Sequence, residues 1–384
     1  MTDDDKAQID NNPYFLKNPY RDFLAKEGIP VYEEYSVDTL TLPLEPWKRA
    51  GGLGAYVDLA GRGDYTACFV QEIPAGGKTE VERHVFDKVY YVFKGRGATT
   101  IELGGGKKHS FEWGPGSMFG IPINAQHQLF NGSGTEPARL VGCSNMPLYL
   151  NLTHNEKFIF DNPFVFEDRL GEERYFRGEG EFREVIPGRH QWETNFVPDI
   201  VNHELPVWQE RGAGGRNIMY TLADSPMHIH LSEFPVGTYK KAHFHDAGAH
   251  IFLVAGKGYS LLWKEGGDPL NSVRVDWKVG SLFAPPDGPT HHQHFNTAKT
   301  PSRYLVMMGI SGARWGVLES RMRDMKSRKS DTSHEEGGRQ VEYQHEDPRI
   351  LELYERECAK NGIQPKMREM IAAAKEKAGI RVAV

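Results

Sequence analysis

Short hydrophobic runs separated by polar and turn-forming residues dominate the chain from Ala55 onward. The runs are rich in Val, Ile, Phe and Tyr, and clusters of Gly and Pro interrupt them. Runs of this length, bounded by turn residues, are typical of strands in antiparallel sheets. The pattern therefore predicts an all-β core, with strands that include residues 66–70, 89–93 and 139–143.

The pattern also repeats along the chain. The segment VYYVFKGRG at 89–97 returns as HIFLVAGKG at 250–258, and HQLFN at 127–131 returns as HQHFN at 292–296. An internal repeat of about 160 residues in an all-β chain indicates two copies of one barrel. We expect a first barrel at 55–150, a connecting segment at 151–215 and a second barrel at 216–315.

The flanking regions differ from the barrels in composition. Residues 1–54 are expected to form an arm, with one short helix at 18–28. Residues 316–384 begin with a basic stretch that is expected on the surface, with a partner-binding strip as the alternative. Two helices should follow, one from Pro348 to Asn361 with Asp347 as its cap, and one near 365–378. Their apolar faces favour packing on a barrel or on a second copy of the chain, so we expect a homo-oligomer.

Charge and composition exclude several classes of function. The net charge of −6 provides no basic field for nucleic acid or an anionic membrane. No apolar run is long enough to span a bilayer, and the first residues are acidic and lack a signal core. The 3 cysteines, Cys68, Cys143 and Cys358, have no zinc spacing and are expected as buried thiols. These features predict a cytoplasmic protein that acts on a small molecule.

The strongest chemical signal is a cluster of histidines in the second repeat. His243 and His245 are two residues apart and would share one face of a strand. His292 lies about fifty residues downstream, within a second histidine-rich segment. Two imidazoles from one strand and one from a facing strand make a three-nitrogen site that suits Fe(II), Mn(II), Cu(II), Ni(II) or Zn(II).

Here the sequence resembles the cupin superfamily in its two-domain, bicupin form. Residues 237–256 match the first cupin motif, with His243 and His245 in register, and residues 280–296 match the second, with His292. The resemblance implies an all-β fold of two tandem cupin barrels, each a jelly roll or double-stranded β-helix. The sequence departs from the first motif at one position, because Ala249 stands where the motif has a glutamate ligand.

The functional prediction depends on the absence of this glutamate ligand. Three neutral imidazoles leave the metal its full positive charge, which favours an anionic substrate that chelates through two oxygens. The second barrel is similar in this respect to gentisate and salicylate dioxygenases, which implies an Fe(II) centre, dioxygen as co-substrate and oxidative cleavage of a hydroxylated aromatic or enolic anion. Two alternatives stay open: a non-redox lyase, isomerase or decarboxylase using Mn, Ni or Zn, and a metabolite-binding regulatory protein.

Further side chains are candidates for the cavity around the metal. His294 shares the inward face of His292, and it is predicted with His228 as an acid–base group. His291 is expected to face away or to hydrogen-bond a loop carbonyl. The candidates for substrate binding, some of which would otherwise be structural, are His230, His250, Trp263, Arg216 and Arg303.

The first barrel has a different set of residues at the matching positions. Of the four usual ligand positions only His84 and His127 keep histidine, while Glu82 and Lys88 take the other two. An ammonium group beside two imidazoles would repel a divalent cation and could pair with Glu82. We therefore predict that this barrel binds no metal, with a site formed by Glu82, His84 and His127 as the alternative.

Overall fold

The structure is a computed structural model that describes residues 18–59, 65–169, 172–212, 214–245, 249–286, 289–309 and 331–380. Its strands are, in chain order, β1 (Val31–Tyr32), β2 (Ser36–Asp38), β3 (Glu45–Pro46), β4 (Leu53–Val57), β5 (Ala67–Ile73), β6 (Lys88–Lys94), β7 (Gly97–Glu102), β8 (Lys108–Trp113), β9 (Met118–Ile121), β10 (Gln126–Asn131), β11 (Ala138–Ser144), β12 (Glu181–Ile186), β13 (Arg189–Thr194), β14 (Phe196–Val197), β15 (Arg216–Leu222), β16 (His228–Phe234), β17 (His250–Ala255), β18 (Lys257–Lys264), β19 (Val273–Lys278), β20 (Ser281–Phe283), β21 (Thr290–Asn296) and β22 (Ser302–Met308).

Five α-helices lie within the described residues. They are α1 (Pro19–Glu27), α2 (Met146–Thr153), α3 (Glu156–Phe160), α4 (Pro348–Asn361) and α5 (Met367–Lys377). Short 3-10 helices occur at Gly104–Gly106, Glu167–Arg169, Glu173–Arg177, His334–Glu336 and Tyr343–His345. No helix in the described part of the chain is long and apolar enough to cross a membrane.

The strands form two barrels of the same design, each made from a large and a small sheet. In the first barrel the large sheet has the order β1-β4-β5-β11-β6-β9-β14, with β3 on β4, and the small sheet is β10-β7-β8. In the second barrel the orders are β12-β13-β15-β16-β22-β17-β20-β2 and β19-β18-β21. The predicted all-β fold of two tandem cupin-type barrels is confirmed.

One repeated glycine shows why the two copies share a motif. Gly95 and Gly256 each follow the strand that the repeat begins with, and their φ angles are 89° and 83°. That left-handed conformation disfavours any side chain. A Cβ atom at Gly95 would lie 2.5 Å from Ala138 Cα, and one at Gly256 would lie 2.2 Å from Ser302 Oγ. Both turns therefore require glycine for conformation and for space.

The two barrels share a core between their large sheets. One continuous hydrophobic cluster contains Val70 and Val141 of the first barrel together with Leu231, Phe252 and Leu305 of the second. Burial of these side chains from both copies favours close association of the barrels. Cys68 and Cys143 lie in the same cluster, and Cys358 is buried elsewhere as a free thiol, as predicted.

The segments outside the predicted barrels are part of the sheets. β4 pairs with β5 in the first barrel, whereas β2 pairs with β20 in the second. Tyr20 and Phe23 of α1 lie in the core of the first barrel. The connecting segment contributes β13, parallel to β15, and β14, antiparallel to β9. These strands are short and pair with distant parts of the chain, so the local sequence pattern does not reveal them.

The C-terminal helices cover the outer face of the small sheet of the second barrel. Tyr354 and Cys358 of α4 pack with Tyr239, Tyr259 and Phe295 in one buried cluster. Asp347 caps α4, as predicted, by accepting a hydrogen bond from Arg349 N. The basic stretch of residues 321–329 lies outside the described residues. Packing on a barrel is confirmed for these helices, whereas the homo-oligomer stays a prediction.

A carboxyl group beneath these helices predicts a pH dependence of stability. Glu346 accepts hydrogen bonds from the hydroxyl of Tyr239 and, at 2.6 Å, from Gln293 Nε2. Burial raises the pKa of Glu346 from 4.5 to about 7, although both hydrogen bonds act to lower it. The folded protein thus keeps a proton that the unfolded chain loses between these values, so this group destabilises the fold as the pH rises through that window.

Replacing Glu346 with glutamine should remove this dependence. The free energy of unfolding of the wild type, minus that of the variant, should fall by up to about 3 kcal/mol between pH 4.5 and pH 7. Denaturant titrations of both proteins measure this difference. The histidines contribute equally to the pH dependence of both proteins, so their contribution cancels in the difference. A difference that stays flat across the window would contradict the raised pKa.

Candidate metal centre

β21 carries the histidine-rich motif along the inside of the second barrel. Its neighbour β18 places Ser260 opposite His294 and Leu262 opposite His292. Leu262 belongs to the interior cluster of the barrel, whereas Leu261 belongs to the cluster beneath the C-terminal helices. Because side chains alternate along a strand, His292 and His294 both point inward, as the sequence predicts.

His243 and His245 reach the same place from the segment before β17. His243 forms an antiparallel bridge with His292, with backbone hydrogen bonds of 3.2 and 2.9 Å. The ring centroids of His243 and His245 lie 4.3 and 4.8 Å from that of His292. One ring nitrogen from each of the three lies within 4.8 Å of the other two. The structure therefore brings together the three predicted ligands.

The protonation of these rings suits a metal. His243 Nδ1 lies 3.1 Å from the carbonyl oxygen of Lys241, so this nitrogen carries the proton and Nε2 keeps its lone pair. Burial, and secondarily the charges of Arg211 and of neighbouring histidines, hold the pKa of His243 well below its ordinary value. Burial has the same effect on the pKa of His292. Neutral imidazoles are the form that binds a cation, so these residues fit a divalent metal.

The position of the missing glutamate is apolar. Ala249 is buried in the interior cluster with Phe234, Ile251, Leu253 and Phe283. Among the residues that the structure describes, the group able to hold a metal consists of the three histidines and contains no carboxylate. A cation bound there would keep its full charge, which agrees with the sequence-based prediction.

The surroundings of the three histidines are rich in positive charge, which the sequence did not predict. Arg211 forms an ion pair with Asp331, and Arg189 Nη1 lies 3.7 Å from the same carboxylate. Lys240 is buried in the interior, with 3% of its surface exposed. Burial lowers the pKa of His230, and the charges of His228, Arg189, Lys240 and Arg211 lower it further. An anion entering this cavity would be attracted electrostatically.

His294 has a defined orientation next to the three ligands. Its Nδ1 lies 2.7 Å from Ser260 Oγ, which also accepts a hydrogen bond of 2.9 Å from Trp277 Nε1. The His294 ring centroid is 5.5 Å from that of His292 and 5.3 Å from that of Tyr304. Burial, followed by the charge of Lys240, lowers the pKa of His294 to about 3. The ring is therefore neutral and held within reach of the cavity.

His228 and His230 also face the interior of the second barrel. On β16 they alternate with Ile229 and Leu231, which lie in the core between the barrels. His228 Nε2 and His230 Nδ1 are 2.9 Å apart, so the two rings share a hydrogen bond. The His230 ring centroid is 6.5 Å from that of Tyr304. The structure thus places this pair on the cavity side, and their proposed roles in catalysis and substrate binding stay predictions.

Two of the predicted substrate-binding residues face away from the metal centre. His250 is fully buried on β17, where its alternation matches Phe252 in the core between the barrels. This agrees with the structural alternative for His250. Trp263 lies on the outer face of β18 and stacks on His291, with ring centroids 5.4 Å apart. Each points to the side of its strand opposite the three histidines, so the structure does not bring these two side chains to the metal centre, and their contact with substrate stays a prediction.

Both predicted arginines bind backbone carbonyl oxygens of the connecting segment. Arg303 Nη1 donates to the carbonyl oxygens of Ile200, Val201 and His203 at 2.8, 2.6 and 2.9 Å, and its guanidinium pairs with Glu233. Arg216 Nη1 donates to a backbone carbonyl oxygen, that of Leu205, at 2.7 Å. These contacts tie the connecting segment to the second barrel, and a role of either arginine in substrate binding stays a prediction.

His291 faces outward, as predicted, and meets the C-terminal region. Its Nε2 lies 3.1 Å from His334 Nε2. The ring centroids of Phe244 and His291 are 4.9 Å apart, in an edge-to-face arrangement. Gln340 forms a bridge with His243 from the same region. The residues after 331 therefore brace the strand segment that carries the ligands.

The matching site in the first barrel is filled by an ion-pair network. Lys88 Nζ lies 3.0 Å from Glu82 Oε2, and Arg49 Nη1 lies 2.6 Å from Glu82 Oε1. His84 Nδ1 and His127 Nδ1 lie 2.9 and 3.2 Å from backbone carbonyl oxygens. The predicted pairing of Lys88 with Glu82 is confirmed. It supports the expectation that this barrel binds no metal, which itself stays a prediction.

The comparisons with known proteins are distant. A family model described as auxin binding protein, a cupin-type family, matches residues 60–158, which is the first barrel and a minor part of the chain. No protein with a curated description matches. 

Among solved structures, a variant of Bacillus subtilis oxalate decarboxylase is 13% identical, with a TM-score of 0.48, and the match covers 72% of this chain and 78% of that chain. A second oxalate decarboxylase structure, from a study of proton-coupled electron transfer, is 14% identical, with a TM-score of 0.47 and coverage of 78% and 86%. Similarities this distant transfer neither a reaction nor a substrate. The family match thus agrees with a cupin-type first barrel, while the resemblance to gentisate and salicylate dioxygenases stays a prediction.

Proposed function

We propose that the second barrel is the active site of a metal-dependent enzyme whose substrate is a small anion that chelates the metal through two oxygens. The observation that carries this proposal is the convergence of His243, His245 and His292, with no carboxylate in the group that the described residues form. Three protein ligands leave coordination positions for substrate, which is a feature of catalytic rather than structural sites.

The protein residues have separable tasks in this proposal. His243, His245 and His292 would hold the cation, which when bound supplies Lewis acidity and, if it is redox-active, a path for electrons to dioxygen. Arg211 and Arg189, which both lie close to the carboxylate of Asp331, and the buried Lys240 place positive charge near the three histidines. This charge would attract and orient an anionic substrate.

Our first candidate reaction is the dioxygen-dependent cleavage of a hydroxylated aromatic or enolic anion with Fe(II). The neutral set of ligands supports it, because an uncompensated dication binds a dianionic chelate strongly. The rings of Phe283 and Tyr304, whose centroids lie 5.9 and 5.3 Å from that of His294, place aromatic groups next to the centre, which is compatible with a ring-shaped substrate.

A second candidate is a non-redox decarboxylase, lyase or isomerase. The proton-carrying groups of the cavity favour it, because such reactions need an acid or a base near the substrate. His294, oriented by Ser260, and His228, which shares a hydrogen bond with His230, are the side chains that would serve.

Anaerobic reconstitution tests the proposal and separates the two reactions. The Fe(II)-loaded protein is offered a panel of hydroxylated aromatic acids. We expect it to consume dioxygen, measured with an oxygen electrode, in proportion to the loss of one of these acids, measured by chromatography. The His292→Ala variant, loaded in the same way, serves as the control and should be inactive.

The alternative outcomes are distinct. Turnover without oxygen uptake, with Mn(II), Ni(II) or Zn(II), would favour the second candidate. A protein that binds no divalent metal, or whose metal centre binds none of the chelating anions, would contradict the proposed function.

A further inference from the structure

A buried ammonium group lies inside the second barrel, one layer of side chains beyond the three histidines. Lys240 Nζ is 4.8 Å from the ring centroid of Tyr304 and 5.6 Å from that of Phe234. The Tyr304 ring is 5.3 Å from the ring of His294, which in turn is 5.5 Å from the ring of His292. These contacts form a continuous path from the metal centre to Lys240.

An irregularity in strand pairing explains why Lys240 points inward. Tyr239 pairs with Phe295 and His243 pairs with His292, so four steps along one strand face three steps along the other. One extra residue of this kind is a β-bulge, and it shifts the alternation of side chains. Because of it, Lys240 and His243 can both face the interior although they are an odd number of positions apart.

The charge of Lys240 has no matching carboxylate. Across the described residues, no aspartate or glutamate forms an ion pair with it, and the side chain that hydrogen-bonds to it is Tyr304. Its charged neighbours are Arg211 and Arg189, which carry the same sign. Burying an unpaired ammonium group is costly, so such groups in proteins usually have a compensating partner. An anionic group of a ligand would supply that partner.

We propose that Lys240 is a second anchor for the substrate and binds an anionic group at the end opposite the metal-chelating oxygens. The substrate class is thereby narrowed to chelating anions that carry a further carboxylate or similar group. This inference rests on the proposed function, because it assigns the chelating end to the metal.

A matched pair of probes tests the proposal without relying on turnover. Catechol and 3,4-dihydroxybenzoate both chelate through adjacent oxygens, and only the second carries a carboxylate across the ring. Their dissociation constants are measured by visible absorption of the cobalt(II)-loaded protein. Lys240→Met keeps the length of the side chain and removes its charge. Exposed Lys257, which donates to Asn361 at 2.8 Å, provides the control variant Lys257→Met.

We expect Lys240→Met to weaken 3,4-dihydroxybenzoate binding by about 10- to 100-fold, because a charged hydrogen bond is lost, and to change catechol binding by less than about 3-fold. The cobalt content and the Lys257→Met variant should be unaffected. Lys240→Gln provides the same comparison with a neutral polar side chain if the methionine variant does not fold. Equal weakening of both probes, or none, would overturn the inference and leave the proposed function standing. Failure of the wild type to bind either probe would overturn both.

Discussion

The His245→Ala variant loses the metal that the wild-type protein carries. Two imidazoles, His243 and His292, would remain, with the positive charge of Arg211 close by. A bidentate site of this kind in cationic surroundings is too weak to retain a divalent ion through dialysis. Elemental analysis after dialysis should show a fall from about one metal per chain to about none.

The corresponding change in the first barrel is the matched control. His84→Ala removes a histidine at the equivalent motif position, next to the ion pair of Lys88 and Glu82. Its metal content should equal that of the wild type. Circular dichroism of both metal-free variants establishes that each is folded. Undiminished metal in His245→Ala would refute the placement of the site, and loss of about half the metal in His84→Ala would indicate two sites.

The Glu82→Gln variant is strongly destabilised, by about 3 to 5 kcal/mol. Lys88 is 4% exposed and Glu82 is 7% exposed, so the ammonium group would be left buried without its carboxylate. Arg49 would keep Glu27, whose Oε2 is 2.8 Å from Arg49 Nε. Desolvation by burial lowers the pKa of Lys88, whereas the charge of Glu82 raises it. Removing that carboxylate therefore leaves the burial and the charge of Arg49 opposed only by the weaker effect of Glu27.

A double variant separates the loss of the pair from the loss of one partner. Glu82→Gln combined with Lys88→Met removes both charges and should recover most of the lost free energy of unfolding, because no unpaired charge is left in the core. Urea unfolding followed by fluorescence measures all three variants against the wild type. A cost below about 1 kcal/mol for Glu82→Gln would show that the pair is not a stabilising element of the first barrel.

The sequence was sufficient for the parts of the fold and site that depend on local spacing. The repeat predicted two barrels, and the spacing of His243, His245 and His292 predicted their convergence. Asp347 and Asn361 were predicted at the two ends of α4, where the structure places them. Each of these features is set by alternation, by a turn or by a cap, which are properties of neighbouring residues.

Features that depend on strand register could not be predicted from the sequence. His250 and Trp263 were assigned to the cavity, yet each faces the other side of its strand. A shift of one residue reverses every side chain, so the face is known only once the pairing is known. For the same reason, the sequence did not predict that Lys240 faces the interior, where a β-bulge places it.

Long-range contacts were also hidden. Arg189, Arg211 and Asp331 come from three distant segments and meet beside the metal centre. Arg303 binds three carbonyl oxygens about one hundred positions earlier in the chain. A charged residue within a strand gives no local sign of such partners. The gathering of Arg189, Arg211 and Lys240 near the histidines of the second barrel is visible only in three dimensions.

Anomalous diffraction from crystals of the metal-loaded protein tests the central claim most directly. Data collected on both sides of the absorption edge of the bound metal locate the ion and identify its ligands. We predict one site per chain, coordinated by ring nitrogens of His243, His245 and His292, with no carboxylate oxygen from the protein among the ligands. A peak between Glu82, His84 and His127, or an aspartate or glutamate oxygen bound to the ion in the second barrel, would contradict the account.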